Sequence, residues 1–386
     1  MIGRGRVRRP LFVVHAANSW DEQRMADHQL AAALSSSVDV LYVDPPHPVF
    51  SASAPTAAVS EVSPSLTVIR PATLPGVRRK SMTPVNRRLI AAQTRRAIAR
   101  SGHDDVVLIE ADMATPIMGL IGEQARIYWA QDDWIGLAEL VNVDPEVFRR
   151  GEKLVRTASE LIIAANPTVQ QANDGFGKPV ELVPFGCDSA LFAAARALEP
   201  AADAHADEAP AIVMGTINDR LDVRLLRAVA DRGVPLLFVG PRSDSESTAE
   251  LDGLFALPNV SWIGPREFTA MPGYLAGASV GLVPYTHSAF NEGSFPLKTL
   301  EYLAAGLPVV ATDLPGIRWL DCPEVEVADD PDAFAQAVAT AVERGRPNPA
   351  EAAPRQQFAA AHDWESRAQA FISVIESARG HAARPR

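Results

Sequence analysis

The sequence has little cysteine: Cys187 and Cys322 are the two in 386 residues. Thiols so far apart make neither a disulfide framework nor a zinc site, and they fit a reducing compartment. Long apolar runs are missing, since no stretch reaches the roughly 18 residues that cross a bilayer. The run at residues 11–17, behind a basic N-terminus, is broken by His15 and closes at Asn18. That is short for the core of a secretion signal. These features predict a cytoplasmic protein. Positive charge is in deficit: 36 Lys+Arg against 47 Asp+Glu leave a net charge of −11. That argues against a generic nucleic-acid binder. No G-x-G-x-x-G follows a strand candidate, which disfavours a dehydrogenase. His, Cys, Asp and Glu never gather at metal-ligand spacing, so no metal is expected. Lysine is scarce too. Lys80, Lys153, Lys178 and Lys298 are the lysines among 36 basic residues, so a lysine inside a motif draws notice.

What is present is ordinary for a soluble globular chain, with 47% hydrophobic and 22% charged residues. The length exceeds what one core fills, so two domains are expected. Short β-branched runs alternate with helical patterns, which marks parallel strands joined by crossover helices. In the first half, strands are read at residues 11–15, 38–44, 66–69, 106–110, 127–130, 161–164 and 180–183. Helices are read at 21–34, 84–100, 144–158 and 167–173. Near-continuous apolar strands such as VVLI and LIIAA imply a sheet covered on both faces. Residues 193–210 are rich in Ala, Asp and Pro without a periodic apolar face, and read as a linker. The alternation then restarts at residue 212. The expected fold class is therefore α/β, with two doubly wound Rossmann-like domains at residues 1–195 and 211–355 joined through 196–210. Such sheets bind ligands beyond the C-terminal ends of their strands, so a cleft between the domains is expected.

The densest signal is residues 291–317, NEGSFPLKTLEYLAAGLPVVATDLPGI. Pro296 suits the first turn of a helix, with Ser294 as a cap before it. Gly306 ends the helix, Pro308 follows, and VVAT reads as a buried strand. Ser294, Lys298 and Glu301 are spaced i, i+4, i+7 and so share one helical face. That face offers free N–H groups and a positive dipole end, then a cation, then a carboxylate one turn deeper. Phosphates suit the first two, and a carboxylate accepts hydrogen bonds from ribose hydroxyls. The set is shaped for a nucleoside diphosphate. The plainer alternative is a Lys298–Glu301 surface pair worth a few tenths of a kcal/mol.

This stretch resembles the donor-binding helix of glycosyltransferases of the two-Rossmann-domain (GT-B) class, especially the family 4 type. There P-L-K-x-x-E-Y-L-A-A-G is followed by P-V-V-A-T. Pro296, Leu297, Lys298, Glu301, Tyr302, Leu303, Ala304, Ala305, Gly306 and residues 308–312 match without a gap. The chain as a whole is most similar to the branch that builds bacterial surface polysaccharides, such as teichuronic-acid-type transferases. One departure stands out. Many members carry a second glutamate eight positions before the ribose-binding one, where this chain has Gly293. Glu292 through a loop shift, or backbone N–H groups of Gly293 and Ser294, are the candidates for its sugar-side role.

Other segments gain roles from the same resemblance. In MGTINDRLD, residues 214–222, Gly215 permits close backbone approach to a ligand, and Asp219 or Asp222 can cap the helix that follows. The family's turn contacts the donor diphosphate, which implies donor roles for Gly215, Thr216 and Arg220, with Lys298 sharing the charge. Gly264 and Arg266 lie where the family packs a loop on the donor base. In IYWAQDDW, residues 127–134, the family places a His or Asp, which implies Asp132 as the catalytic residue and Asp133 as its reserve. An inverting enzyme would use that carboxylate as general base, and a retaining one to orient the acceptor or stabilise charge. The alternative is a pair of acids capping a helix at 135–140. His15, Trp20 and Arg24, directly after the first strand, are candidates to line the acceptor pocket, against a core role for the histidine.

Residues 71–103 hold eight basic residues and no acid: Arg78, Arg79, Lys80, Arg87, Arg88, Arg95, Arg96 and Arg100. With Val85, Leu89, Ala92 and Ile98 as a modest apolar face, residues 78–100 suit anionic lipid at the inner face of the membrane, as in membrane-surface members of the class. The alternative is a solvated helix. The resemblance also implies that residues 356–386 return to the first domain, packed there by Trp364, Phe371 and Ile375. The implied function is transfer of a sugar from a nucleotide-diphosphate sugar, UDP- or GDP-linked, to a saccharide or lipid-linked acceptor. No further cofactor and no nucleic acid are expected. A nucleotide-sugar epimerase of the same architecture and a non-catalytic nucleotide- or sugar-binding protein are the alternatives.

Overall fold

A computed structural model describes residues 9–22, 24–49, 58–76, 79–140, 143–243 and 248–382. The basic N-terminal residues 1–8 and Arg78 lie outside the described residues. The chain divides into two compact units. Unit 1 comprises Met1–Pro184 with Arg367–Arg386, and unit 2 comprises Phe185–Ser366.

In unit 1 the strands are β1 (Leu11–His15), β2 (Asp39–Val43), β3 (His47–Pro48), β4 (Val59–Ser63), β5 (Leu66–Ile69), β6 (Ala72–Thr73), β7 (Val106–Glu110), β8 (Ala125–Ala130), β9 (Leu161–Ala164) and β10 (Val180–Leu182). The main sheet runs β10-β9-β8-β7-β1-β2-β5-β4, while β3 and β6 form a separate pair. All pairings in the main sheet are parallel except the edge hairpin of β4 with β5. The central strands are buried along their whole length, as their unbroken apolar runs require. Two of its helices start where an acceptor side chain precedes them. Asp144 accepts the Glu146 amide before Pro145–Ala158, and Asn166 accepts the Val169 amide before Pro167–Asn173. The first helix is shorter than residues 21–34, spanning Ala26–Leu34.

Unit 2 contains β11 (Ala211–Met214), β12 (Leu236–Val239), β13 (Val260–Trp262), β14 (Val280–Val283), β15 (Val309–Ala311) and β16 (Val325–Val327), ordered β13-β12-β11-β14-β15-β16 and wholly parallel. Asp222, rather than Asp219, caps the helix Val223–Asp231 by accepting the Arg224 amide. The helix Leu297–Ala304 lies on β14 so closely that a Cβ at Gly281 would sit 2.2 Å from the Tyr302 ring. Tyr302 is fully buried, and its hydroxyl accepts the Met214 amide at 2.7 Å, at the end of β11.

Two boundaries differ from expectation. Residues 185–210 fold as part of unit 2 instead of standing apart as a linker. Asp188 caps the helix Ser189–Ala193, which packs on Leu297–Ala304, and the buried Phe192 meets Phe268 edge-on at 5.5 Å. The alanines of this segment nest against glycines. A Cβ at Gly277 would lie 3.2 Å from Ala206 and 3.4 Å from Ala204, so small side chains are what the packing needs. The second boundary falls inside the last helix, Trp364–Ala382. Phe371 and Ile375 are buried in unit 1, Phe371 edge-on to Trp129 at 5.4 Å. Trp364 instead packs beside Phe185 within unit 2.

The Tyr302–Gly281 seat makes a stability prediction. Gly281→Ala forces a methyl into a rigid buried ring, and overpacking of this kind costs about 1–3 kcal/mol, occasionally more. Urea unfolding should show that loss, and a midpoint equal to wild type would contradict the close seat.

Candidate functional site

Ligands of doubly wound sheets bind where the strand order reverses. In unit 2 that point lies between β11 and β14. Past β11 the chain turns at Gly215, whose φ of +114° suits glycine. A Cβ there would lie 3.4 Å from Lys298 Cε, so the turn faces the N-terminal half of the helix Leu297–Ala304. Past β12, Gly240 closes on this turn. A Cβ at Gly240 would fall 1.9 Å from the Gly215 carbonyl oxygen, and its amide donates to the Gly264 carbonyl at 3.0 Å. The loops after β11, β12 and β13 are thus nested through glycines. Past β14, Tyr285 pairs as a bridge with Leu221, bringing Arg220 to the same edge. The Arg220 guanidinium lies 4.6 Å from the Tyr285 ring centroid and 4.9 Å from that of Phe290.

Lys298 Nζ donates to Glu301 Oε2 at 2.6 Å, with the Glu301 side chain 1% exposed and that of Lys298 25% exposed. The pair is therefore not a solvated surface pair. Its carboxylate is buried, so loss of the lysine would strand a charge in the interior. The helix start differs from expectation. Pro296 occupies the cap position itself, packed against Gly316, and no side chain caps the helix. Ser294 belongs to the end of the preceding helix Ala289–Gly293, with its hydroxyl donating to the Phe290 carbonyl. Leu297 is half-buried and Gly293 buried. Glu292 is exposed, 3.9 Å from His287 Nδ1, whose Nε2 pairs with Asp329 at 3.1 Å.

Thr216 is exposed beside the turn. Gly264 has a φ of +75°. Arg266, expected toward a base, is consumed by the scaffold. Its Nε donates to the Tyr274 hydroxyl, Nη1 to the Ile263 carbonyl, and Nη2 to Asp203 at 2.7 Å. That bond holds the Asp203 carboxyl below its ordinary range. Polar side chains gather at the loops after β11 and β14 because those loops, unlike the strands, need not be apolar on both faces.

In unit 1 the strand order reverses at β1 and β7, and His15 and Glu110 end those strands. His15 is fully buried, which removes it from the lining of an open pocket. Its Nδ1 lies 2.5 Å from Glu110 Oε1, and its Nε2, 3.9 Å from Asp112, has no hydrogen-bond partner. The second Glu110 oxygen accepts the Ile117 and Met118 amides, and Asp112 accepts those of Ala114 and Thr115. Trp20 is half-buried, its ring 4.9 Å from Tyr42 and its amide donating to Asp44. Arg24 is exposed. Asp27 holds the same loop by accepting the Ala17 and Asn18 amides. Asp133 accepts the Ile135 amide at 3.0 Å and so caps the helix Trp134–Leu140, while Asp132 is half-buried. Sequence reasoning passed over Glu110, Asp27, Asp44 and Gly240. For Glu110, Asp44 and Gly240 an acid or glycine closing an unbroken apolar run, as in VVLIE and LLFVG, was the available signal; Asp27 had none. No group of three or more His, Cys, Asp or Glu residues could hold a metal ion among the described residues.

Burial opposes protonation of His15, but the Glu110 carboxylate outweighs it and lifts the histidine's pKa above its ordinary 6.5. Burial also raises Glu110. In both cases the folded state binds more protons, so stability falls as pH rises. The His15 contribution is complete below 6.5 and disappears as pH passes the raised value. Urea midpoints from pH 6 to about 9 should therefore decline in the wild type and decline less in His15→Gln. Equal slopes would sink this assignment.

Residues 219–344 match the family described as glycosyl transferases group 1. Over 114 residues, 29% of this chain, it is 36% identical to the putative teichuronic acid biosynthesis glycosyltransferase TuaH of Bacillus subtilis. The aligned stretch spans 28% of that relative's length. Among solved structures, sucrose-phosphate synthase from Thermosynechococcus elongatus is similar at TM-score 0.71 and 19% identity, over 97% of this chain and 100% of that one. The trehalose-6-phosphate synthase OtsA is similar at TM-score 0.68 and 11% identity, over 95% and 99%. Anabaena Alr3699/HepE in complex with UDP and glucose is similar at TM-score 0.64 and 15% identity, over 96% and 100%. The chain thus has the GT-B fold, and within its second unit the segment that matches the group 1 glycosyltransferases, residues 219–344, is the one that bears Arg220, Gly264, Lys298 and Glu301.

Proposed function

We propose that this chain transfers a glycosyl group from a nucleoside-diphosphate sugar, UDP- or GDP-linked, to a saccharide or lipid-linked acceptor during synthesis of a surface glycan. The observation that carries the reading is the meeting, at one strand-order reversal, of a glycine turn, a cation paired to a buried acid, and a guanidinium between aromatic rings. The group 1 match over this segment, a relative named for teichuronic acid biosynthesis, and a fold neighbour holding UDP and glucose support it.

Chemically, the bond from the anomeric carbon to the leaving diphosphate breaks while one to an acceptor hydroxyl oxygen forms. Arg220 and Lys298 stabilise charge building on the diphosphate, and Glu301 accepts from the ribose hydroxyls. Gly215 and Thr216 offer backbone to the phosphates, and Gly264 backbone to the base. On the resemblance, Asp132 is the group assigned to the acceptor proton in an inverting reaction, or to orientation in a retaining one, with Asp133, which also caps a helix, as its reserve. Two protein cations serve the diphosphate, so activity should persist in EDTA. An epimerase or a pure binder is distinguished by the absence of glycosyl transfer to any acceptor.

Thermal-shift screening against nucleoside diphosphates should reveal one preferred base. Lys298→Ala should weaken every diphosphate ligand about tenfold or more, the scale of a lost charged hydrogen bond. Unaltered affinity would count against the site.

We also propose work at the inner membrane face, in the cytoplasm, through the helix Thr83–Ser101. No helix among the described residues is long and apolar enough to cross a membrane. On this helix Arg88, Arg96 and Arg100 are exposed beside Val85 and Leu89. Ile98 is buried in the core, and Arg87 and Arg95 donate to the Pro116 and Leu120 carbonyls, so the outward face is narrower than the sequence implied. Flotation with anionic liposomes should fall when Arg88, Arg96 and Arg100 are replaced by Gln. Unchanged flotation would reject the membrane contact.

A further inference from the structure

Asn291 stands one position before Glu292 and is 1% exposed. Its carboxamide is fully engaged. Oδ1 accepts Arg220 Nε at 2.8 Å. Nδ2 donates to the Arg220 carbonyl at 3.1 Å and to the Thr286 carbonyl at 2.9 Å, with Thr286 Oγ1 also at 3.1 Å. The orientation is unambiguous, because a guanidinium can only donate and a carbonyl can only accept. The amide therefore grips Arg220 twice, at side chain and main chain. Around that grip the Thr286 amide donates to the Arg220 carbonyl at 2.8 Å, and the Arg220 amide donates to Asn218 Oδ1 at 3.1 Å.

The electrostatic state of Arg220 differs from that of its neighbour. Lys298 is neutralised by Glu301 at 2.6 Å. Among the described residues no carboxylate pairs with Arg220, and its Nη groups make no hydrogen bond. Tyr285 and Phe290 flank the cation without cancelling its charge. A carboxylate at position 291 could still accept from Nε, but it would neutralise the guanidinium and turn an oxygen toward the Arg220 and Thr286 carbonyls. An amide orients it and leaves the charge intact.

We propose that Asn291 is a positioning residue for the donor: it fixes Arg220 by Nε alone, so that the uncompensated Nη face is held ready for the donor diphosphate. This rests on the nucleotide-sugar reading above. Asn291 itself touches no phosphate. Its role is to remove the motion that a long, unpaired arginine would otherwise lose on binding.

The test measures Kd for UDP and GDP by calorimetry, with uridine and guanosine followed by ligand-observed NMR as phosphate-free controls. Proteins compared are wild type, Asn291→Ala, Asn291→Asp, Arg220→Ala, and the double variant of Asn291→Ala with Arg220→Ala. Both Asn291 variants should weaken the preferred diphosphate about tenfold or more, while binding of its nucleoside changes less than about twofold. Asn291→Asp should also flatten the salt dependence of diphosphate binding, because it cancels the charge that salt screens. In the Arg220→Ala background, Asn291→Ala should add little. Asn291→Asp keeps the side chain's shape and serves if the alanine variant melts too low to assay. A wild type that binds a diphosphate while both Asn291 variants bind it equally well overturns this proposal alone. So does equal loss of diphosphate and nucleoside, which marks a merely structural role. A wild type that binds neither diphosphate overturns the nucleotide-sugar reading and this proposal together.

Discussion

The second unit's site depends on a tyrosine ring resting on a glycine. Tyr302 fills the space that a side chain at position 281 would take, and its hydroxyl receives the last amide of β11. The amide at Met214 would otherwise be a buried donor without a partner, at a cost of about 1–3 kcal/mol. One side chain therefore fixes the helix both in height above the sheet and in register along it. Lys298 and Glu301 lie on that helix, so their distance from the Gly215 turn is set before any ligand arrives. Gly240, pressed against the Gly215 carbonyl, fixes the turn from the other side. A site built this way needs little backbone reorganisation on binding.

With the frame rigid, the distribution of charge decides which group meets an anion first. Lys298 and Glu301 satisfy each other, and Glu301 is almost wholly buried. A diphosphate approaching Lys298 must compete with that carboxylate. Arg220 presents no such competition, since aromatic faces stabilise its cation by roughly 0.5–2 kcal/mol without supplying a counter-charge. On the proposed reading Arg220 is the first anchor. The phosphate then draws Lys298 away, and the carboxylate released at Glu301 becomes an acceptor for the ribose hydroxyls. The ion pair keeps the buried acid compensated until the ligand replaces the lysine, which accounts for a pair in a place where an isolated charge would be costly.

Much of this was legible in the residues. The motif at 296–306 carries the helix and its polar pair, because Lys298 and Glu301 share one face while Tyr302 turns into the sheet. The apolar strands and their order of appearance were equally readable. Three features were not. Ser294 looks like a helix cap but serves the preceding helix, because the wedge of Pro296 against Gly316 moves the helix start past it. The alanine-rich segment after residue 193 looks like a linker because its packing partners are glycines far along the chain, and small-on-small contact leaves no periodic apolar signal. Arg266 looks free, yet it is bound by Asp203, sixty-three positions earlier in the chain. In each case the deciding contact is distant in sequence.

Polar residues at the ends of parallel strands have two possible occupations: holding a ligand or holding a loop. Sequence cannot separate them, but hydrogen-bond completeness can. In unit 1 Asp27, Asp44, Glu110 and Asp112 each give at least one oxygen to backbone amides of the loops after β1 and β7. They are the scaffold of those loops, and Trp20 is fixed by the same means. His15 is bound on one nitrogen and bare on the other, inside a site closed to solvent. A bare buried nitrogen is a loss, and the hydrogen bond to Glu110 is the one that holds the ring. Arg220 is incomplete in a different way, half-buried with its charge uncompensated. An unpaired group closed off from solvent meets no ligand, whereas one at an open place is available to bind. On the proposed reading, that difference in exposure places His15 in the framework and Arg220 with the ligand.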